Sequence, residues 1–280
     1  MGFAEVITNL STIVGFIKLC KEDILEFNPD KIIFIDNSGF NLRIAKWARI
    51  NNFHTVYYIS PQVWASRSGR VKDIKRDIDE MYVILPFVED FYKKYEYKVT
   101  FVGHPLLDAI ANRKQVREAD FRKEYELGEK PIIALLPGSR KQEIKKLLAV
   151  MLKMADKFTD YQFVIAGAPS QDYQFYQQFI SKENVRFVSN KTYDLLSVSY
   201  AAIVTSGTAT LETALFKVPE IVCYKTSWLS YQIGKRLIDL KFISLVNLIM
   251  NKEVVKELIQ NDFNEITLEE ELHKILNDDV

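Results

Sequence analysis

Two short stretches set glycine, hydroxyls and a guanidinium directly behind apolar runs. In "LLPGSRKQEI" (135–144), Gly138, Ser139 and Arg140 follow Leu136, and in "TSGTATLETALF" (205–216), Ser206, Gly207 and Thr208 open a helical pattern. Glycine permits close backbone approach or positive φ, a helix start offers N–H donors backed by its dipole, and arginine presents a bidentate fork. Each stretch could therefore hold a phosphate. Glu212, further along the second helix, could accept from a ribose hydroxyl. Plainer readings exist for both: Pro-Gly-Ser is common turn punctuation, Ser139 can cap the helix after it, and Ser/Thr-rich helix starts are ordinary N-caps. Two such stretches in one part of the chain make a nucleotide diphosphate the more attractive ligand.

Three further groups lie behind apolar runs nearer the amino terminus. "FIDNSGFNLR" (34–43) ends a run on Asp36, with Asn37, Gly39 and Asn41 close behind. A partly buried carboxylate there is a candidate general base, or a cap for its own loop. "YISPQVWASRSGR" (58–70) offers Ser60, Gln62, Trp64, Arg67 and Arg70, which suit a sugar or phosphate-bearing ligand or form a buried tryptophan with snorkelling arginines. "FVGHPLLD" (101–108) sets His104 in a Gly-His-Pro turn. The other two histidines, His54 and His273, have no company that suggests a metal site.

The elements that must carry these residues alternate. "KIIFID" (31–36), "TVYYIS" (55–60), "MYVILP" (81–86) and "KVTFVG" (98–103) read as strands spaced by helix-length segments. So do "PIIALL" (131–136), "YQFVIAG" (161–167), "VRFVS" (185–189), "AAIVTS" (201–206) and "EIVCYK" (220–225). Such alternation predicts an α/β fold of parallel sheets buried on both faces, with ligands outside the carboxyl ends of the strands. Residues 144–158 place Ile144, Leu147, Leu148, Met151, Ala155 and Phe158 on one helical face, and residues 5–27 form an amphipathic helix that opens the chain. The charged segment from about residue 108 to 130 reads as a connection, or as a solvated helix within one domain. Two Rossmann-like domains are expected, 1–110 and 111–280, the first incomplete because it begins on a helix rather than on a strand.

Bulk properties exclude several classes of function. Lys+Arg and Asp+Glu both number 37, so no net charge points to nucleic acid as a partner. The two cysteines, Cys20 and Cys223, are too far apart for a zinc or redox motif. No apolar run reaches a membrane-spanning length, and the first residues lack the pattern of a signal peptide. A cytoplasmic protein is the simplest reading.

As an ordered set, "YISPQVWASR", "FVGHPLLD", "LLPGSRKQEI", "SGTATLETALFKVPEIVCYK" and "ISLVNLI" (243–249) resemble the lipid-A-disaccharide synthases over nearly the whole chain. The resemblance implies a GT-B glycosyltransferase fold. It also implies an inverting transfer from UDP-2,3-diacylglucosamine to 2,3-diacylglucosamine 1-phosphate (lipid X), releasing UDP, at the cytoplasmic face of the inner membrane. Asp36 would be the base, with Asn41 shaping its pocket. Gly138, Ser139, Arg140, Ser206, Gly207 and Thr208 would hold UDP, Glu212 the ribose, and Asn247 would line the cleft. Neither cofactor nor metal is implied. Departures from the family pattern are "WAS" for Trp-Ala-Trp and Val88 where an acid is usual, with Glu89 one step later. The family pattern also has a Gly-Glu-x-Ser-Gly-Asp loop ahead of the position of Met1 and a closing helix beyond Val280, so a UDP-binding but catalytically silent chain is the alternative. Another is a related nucleotide-sugar enzyme, either an epimerase or a cell-wall glucosaminyl transferase. Acyl-bearing substrates give the opening helix two readings: Phe3, Ile7, Leu10 and Phe16, with Lys18 and Lys21, touch a bilayer surface, or the apolar face packs on the sheet. Burial is favoured on pattern alone.

Overall fold

The computed structural model describes residues 10–277 except 67, 181, 229–230, 233–235 and 237–239. Arg67, Phe3, Ile7 and the side chain of Leu10 lie outside the described residues. The chain divides into two compact units, one running to Pro105 and one from Leu106 onward.

In the first unit, helix α1 (Leu10–Phe27) precedes β1 (Lys31–Ile35), α2 (Ser38–Ile50), β2 (His54–Tyr58), α3 (Val71–Asp77), β3 (Glu80–Val83), α4 (Phe87–Lys93) and β4 (Thr100–Phe101). The strands form a parallel sheet in the order β1-β2-β3-β4. The expected burial on both faces fails at β1, where Ile32 and Phe34 are buried while Ile33 and Ile35 remain 62% and 57% exposed. That alternation is the mark of an edge strand covered on one face only. The opening helix meets the favoured reading only in part, with Ile13, Ile17, Cys20 and Ile24 half-buried on one face. No described residue of α1 is fully buried, and Val14, Phe16, Leu19, Leu25 and Phe27 are exposed.

The second unit begins with α5 (Pro105–Ala111) and α6 (Glu118–Glu124). The charged 108–130 segment thus belongs to it, with Phe121 and Leu127 packed under the sheet beside Ile132, Ala134 and Leu136. Then follow β5 (Ile132–Leu136), α7 (Lys141–Met151), α8 (Met154–Lys157), β6 (Gln162–Gly167), α9 (Tyr173–Gln177), β7 (Val185–Ser189), α10 (Thr192–Leu196) and β8 (Ala201–Thr205). The unit ends with α11 (Thr208–Leu215), β9 (Glu220–Tyr224), α12 (Leu245–Met250), β10 (Lys256–Ile259) and α13 (Glu265–Asn277).

These six strands are parallel in the order β10-β9-β8-β5-β6-β7. Because β5 runs outward in both directions, the strand order reverses beside it, and that reversal is where a doubly wound sheet opens a ligand crevice. One face is packed by Ile144, Leu147, Leu148 and Met151 of α7 with Leu268, Leu272 and Leu276 of α13. Burying each such side chain contributes about 1.5–3 kcal/mol, so the second sheet is a rigid platform. Strand β10 is absent from the pattern read in the sequence. Its "KELI" carries two charges in four residues, and Lys256 is exposed at the sheet edge.

Glu220 opens β9 at 3% exposure, and neither carboxylate oxygen has a hydrogen-bond partner. Burial pushes its carboxyl up to about 9. A carboxyl raised in the fold contributes stability that is fully present below its unfolded value of about 4.3 and is lost as pH rises toward the folded value. Chemical denaturation should show stability falling from about pH 5 to about pH 9, by on the order of 3 kcal/mol near neutrality, with Glu220→Gln flattening that slope. An equal slope in the variant would contradict the neutral, buried state.

Candidate functional site

The register of the second sheet aligns the ends of its strands. Leu136 lies opposite Val204, Leu135 opposite Ile165, and Gly167 opposite Ser189, so the turns after β5, β6 and β8 emerge at one edge. Between them is a cavity of about 420 Å³ lined by Gly138, Ser139, Arg140, Ser206, Gly207 and Thr208, with Glu212 and Glu143 also on its wall. All six residues expected to hold UDP therefore border one space.

Local conformation explains why the two turns leave donors available. Gly138 takes φ 95°, and a Cβ there would lie 2.4 Å from a Glu143 carboxylate oxygen and 3.2 Å from the Thr205 methyl. The oxygen belongs to a flexible side chain and can move, but the left-handed backbone still favours glycine. Helix α7 starts at Arg140 and α11 at Gly207 (φ 149°, ψ −160°), and neither start is capped by its own side chain. The expected capping by Ser139 is not observed. Ser139 precedes the N-cap, and its carbonyl accepts instead from Ser170 Oγ at 2.9 Å and Gln171 Nε2 at 3.1 Å, which tie the turn to the loop after β6. Two helix starts and the exposed Arg140 guanidinium offer donors to an anion, with the Glu143 and Glu212 carboxylates on the same wall. Glu143, three residues beyond Arg140, was not anticipated. Its place in the first turn, where an acid favours helix initiation, is the signal that could have found it.

Asn247 is not on the cavity wall, contrary to the expectation that it lines a cleft. It is fully buried and uses its whole amide locally. Nδ2 donates to the Val255 carbonyl at 2.8 Å and to Glu257 Oε1 at 2.9 Å, while Oδ1 accepts from the Val254 and Val255 amides at 2.7 and 3.0 Å. Glu257 in turn accepts from the Ile243 and Ser244 amides, and the Ile243 carbonyl accepts from Ser206 Oγ at 3.0 Å. The "SLVN" segment thus supports the Ser206 turn from behind.

In the first unit, Asp36 and Asn37 follow β1 with φ of 46° and 36°, two successive left-handed residues. Asn41 Nδ2 donates to the Ile35 and Asp36 carbonyls at 3.0 and 2.8 Å, and the buried Tyr57 hydroxyl also donates to the Asp36 carbonyl. Asn41 therefore shapes this site by clamping the backbone. Left-handed non-glycine residues persist where their surroundings overdetermine them, often at functional positions. The partial burial expected of Asp36 is not found, since its side chain is exposed. The loop after β2 adds Ile59, a β-branched residue at φ 61°, then buried Ser60 and exposed Gln62. Trp64 packs edge-on against Phe87 at 4.8 Å and is half-buried, short of the buried tryptophan of the alternative reading. His104 is half-buried, which lowers its pKa.

The model of the family described as lipid-A-disaccharide synthetase matches residues 1–280. The lipid-A-disaccharide synthase of Syntrophus aciditrophicus is 42% identical over 99% of this chain and 74% of its own length. Among solved structures, the S. aureus MnaA–UDP co-structure is similar at a TM-score of 0.67 and 13% identity, covering 95% of this chain and 70% of that one. The glycotransferase of kitacinnamycin is similar at 0.65 and 12%, covering 99% and 75%. The fold is accordingly that of the GT-B glycosyltransferases, α/β with two Rossmann-like units.

Asn247→Ala would strand the Val254 and Val255 amides and remove a donor from Glu257, so ligand-free stability should fall by about 2–4 kcal/mol. A melting temperature equal to that of the parent protein would contradict the structural role.

Proposed function

The chain belongs to the lipid-A-disaccharide synthetase family, and from that premise we propose that it is an inverting glycosyltransferase of lipid A biosynthesis. Its donor is UDP-2,3-diacylglucosamine and its acceptor 2,3-diacylglucosamine 1-phosphate. The observation that carries the reading is the single cavity between the Gly138–Arg140 turn and the Ser206–Thr208 helix start, where two uncapped helix N-termini and a guanidinium meet.

In the reaction, the acceptor hydroxyl loses its proton to the Asp36 carboxylate as its oxygen attacks the anomeric carbon. The bond from that carbon to the diphosphate breaks, and UDP departs with the bonding pair. Arg140, the amides at the start of α11 and the Thr208 hydroxyl stabilise the charge that develops on the leaving phosphate, while Ser206, whose hydroxyl donates to the Ile243 carbonyl, holds the turn in place. Glu212 accepts from the ribose. Its carboxyl is raised by burial, an effect partly offset by a hydrogen bond from Tyr193. Ser60, Gln62 and Trp64 are assigned to the acceptor side with Asp36, a reading supported by the pairing of β1 with β2, which brings the loops after Ile35 and Tyr58 out at the same end of the sheet.

Peripheral contact with the cytoplasmic face of the inner membrane fits substrates that carry acyl chains. Exposed Phe16, Leu19 and Phe27 share one face of α1 and supply an apolar strip, with Lys18 and Lys21 on the other side of the helix. No helix among the described residues is long and apolar enough to cross a membrane. An epimerase role is supported only by likeness of fold at low identity, whereas the family match spans the whole chain.

In a detergent-dispersed transfer assay, Asp36→Ala should abolish disaccharide formation while UDP affinity changes less than about twofold. Arg140→Ala should lower kcat by about 10²–10³, the usual loss for one donor to a developing anion. Retained turnover in Asp36→Ala would remove it as the base. Turnover with UDP-N-acetylglucosamine and none with the diacyl donor would overturn the substrate assignment.

A further inference from the structure

Glu212 borders two adjoining cavities, the 420 Å³ space described above and a second of about 380 Å³ walled by Asn190, Lys191, Tyr193 and Asp194. Tyr193 lines the second of them, next to Thr192, which borders both. It belongs to α10, which follows β7, and so reaches Glu212 from a different strand end. Its hydroxyl donates to Glu212 Oε1 at 3.1 Å, and its ring packs against Phe216, 5.6 Å between centroids, just beyond the end of α11. Burial leads the causes that push the Tyr193 phenol up to about 12, so it remains a donor throughout the neutral range.

We propose that Tyr193 is a positioning residue for sugar-nucleotide binding, orienting the Glu212 carboxylate so that it accepts from the vicinal diol of the ribose. The proposal rests on the assignment of Glu212 to the ribose made above. A carboxylate in a half-buried site can rotate and can take up a proton, and either event spoils a bidentate contact with two hydroxyls. One donated hydrogen bond opposes both, because it fixes one oxygen and stabilises the charged form. Packing on Phe216 holds the phenol ring in the orientation that this bond requires. Nothing in the amino-acid pattern of "NKTYDLL" (190–196) marks Tyr193, since the partners come together only through the pairing of β7, β6, β5 and β8.

The test is a chemical double-mutant cycle. UDP and 2′,3′-dideoxy-UDP are titrated calorimetrically into the parent protein, Tyr193→Phe and Glu212→Gln, at about pH 6 and about pH 8.5. Tyr193→Phe should weaken UDP by about fivefold to twentyfold and the dideoxy analogue by less than about twofold. The penalty on UDP should be larger at the lower pH, because loss of the donor raises the Glu212 carboxyl and protonates it sooner. Equal weakening of both ligands, or no weakening of either, would overturn the proposal. Glu212→Gln separates the two levels of failure. If it abolishes the preference for UDP over the analogue while Tyr193→Phe leaves that preference intact, Tyr193 alone is wrong. If Glu212→Gln keeps the preference, or the parent protein has none, the ribose assignment is wrong and the role of Tyr193 falls with it.

Discussion

The parallel pairing of β5 with β8 is the constraint on which the rest of the second unit depends. With Leu136 opposite Val204, β8 runs only one residue past the end of β5, and Gly138 and Ser206 border the same cavity. A slip of one residue would turn Ile133 and Leu135 away from the face they share with Ile203 and would separate the two turns. The apolar core therefore sets the spacing of the polar site. Neither turn alone distinguishes itself from a common loop, and donors from two helix starts face one space only because the sheet delivers both to the same cavity.

A second layer of contacts holds those turns in place from outside the cavity. Ser170 and Gln171 fasten the Ser139 carbonyl, and the Asn247–Glu257 network supports the segment whose Ile243 carbonyl receives Ser206. In the first unit the same logic applies to Asp36, where Asn41 and Tyr57 converge on one carbonyl and stabilise a left-handed backbone that aspartate alone seldom adopts. Preorganised donors and carboxylates cost little reorganisation when charge develops, which is what an inverting transfer without a covalent intermediate requires.

Much of this architecture was legible in the sequence because buried parallel strands appear as unbroken apolar runs. Nine of the ten described strands coincide with apolar runs, although β1 is covered on one face only and β4 is exposed, and β10, an edge strand with Lys256 and Glu257 in its four residues, has no such run. The residues around the 420 Å³ cavity could be read from Gly, Ser, Thr and Arg following strands. Asn247 was legible as a motif but not as a buried support, since its partners Val254, Val255 and Glu257 declare themselves only in three dimensions. Glu143 and Tyr193 were missed for a similar reason: an acid in a first helical turn and a tyrosine after a strand are common, and their significance lies in what other strand ends bring to them. The opening helix was legible as amphipathic but not in its cover, since periodicity shows that a face is apolar without showing what packs on it, and its Ile13, Ile17, Cys20 and Ile24 face is only half-buried.

The central claim is that a nucleoside diphosphate sits between the turns after β5 and β8. It is tested most directly by determining the structure of this protein in complex with UDP. The account predicts the two phosphates between the Gly138–Arg140 turn and the first-turn amides of α11, with Arg140 on a phosphate oxygen and Glu212 on the ribose hydroxyls. Diphosphate density elsewhere on the second unit, with the 420 Å³ cavity left to solvent, would contradict it.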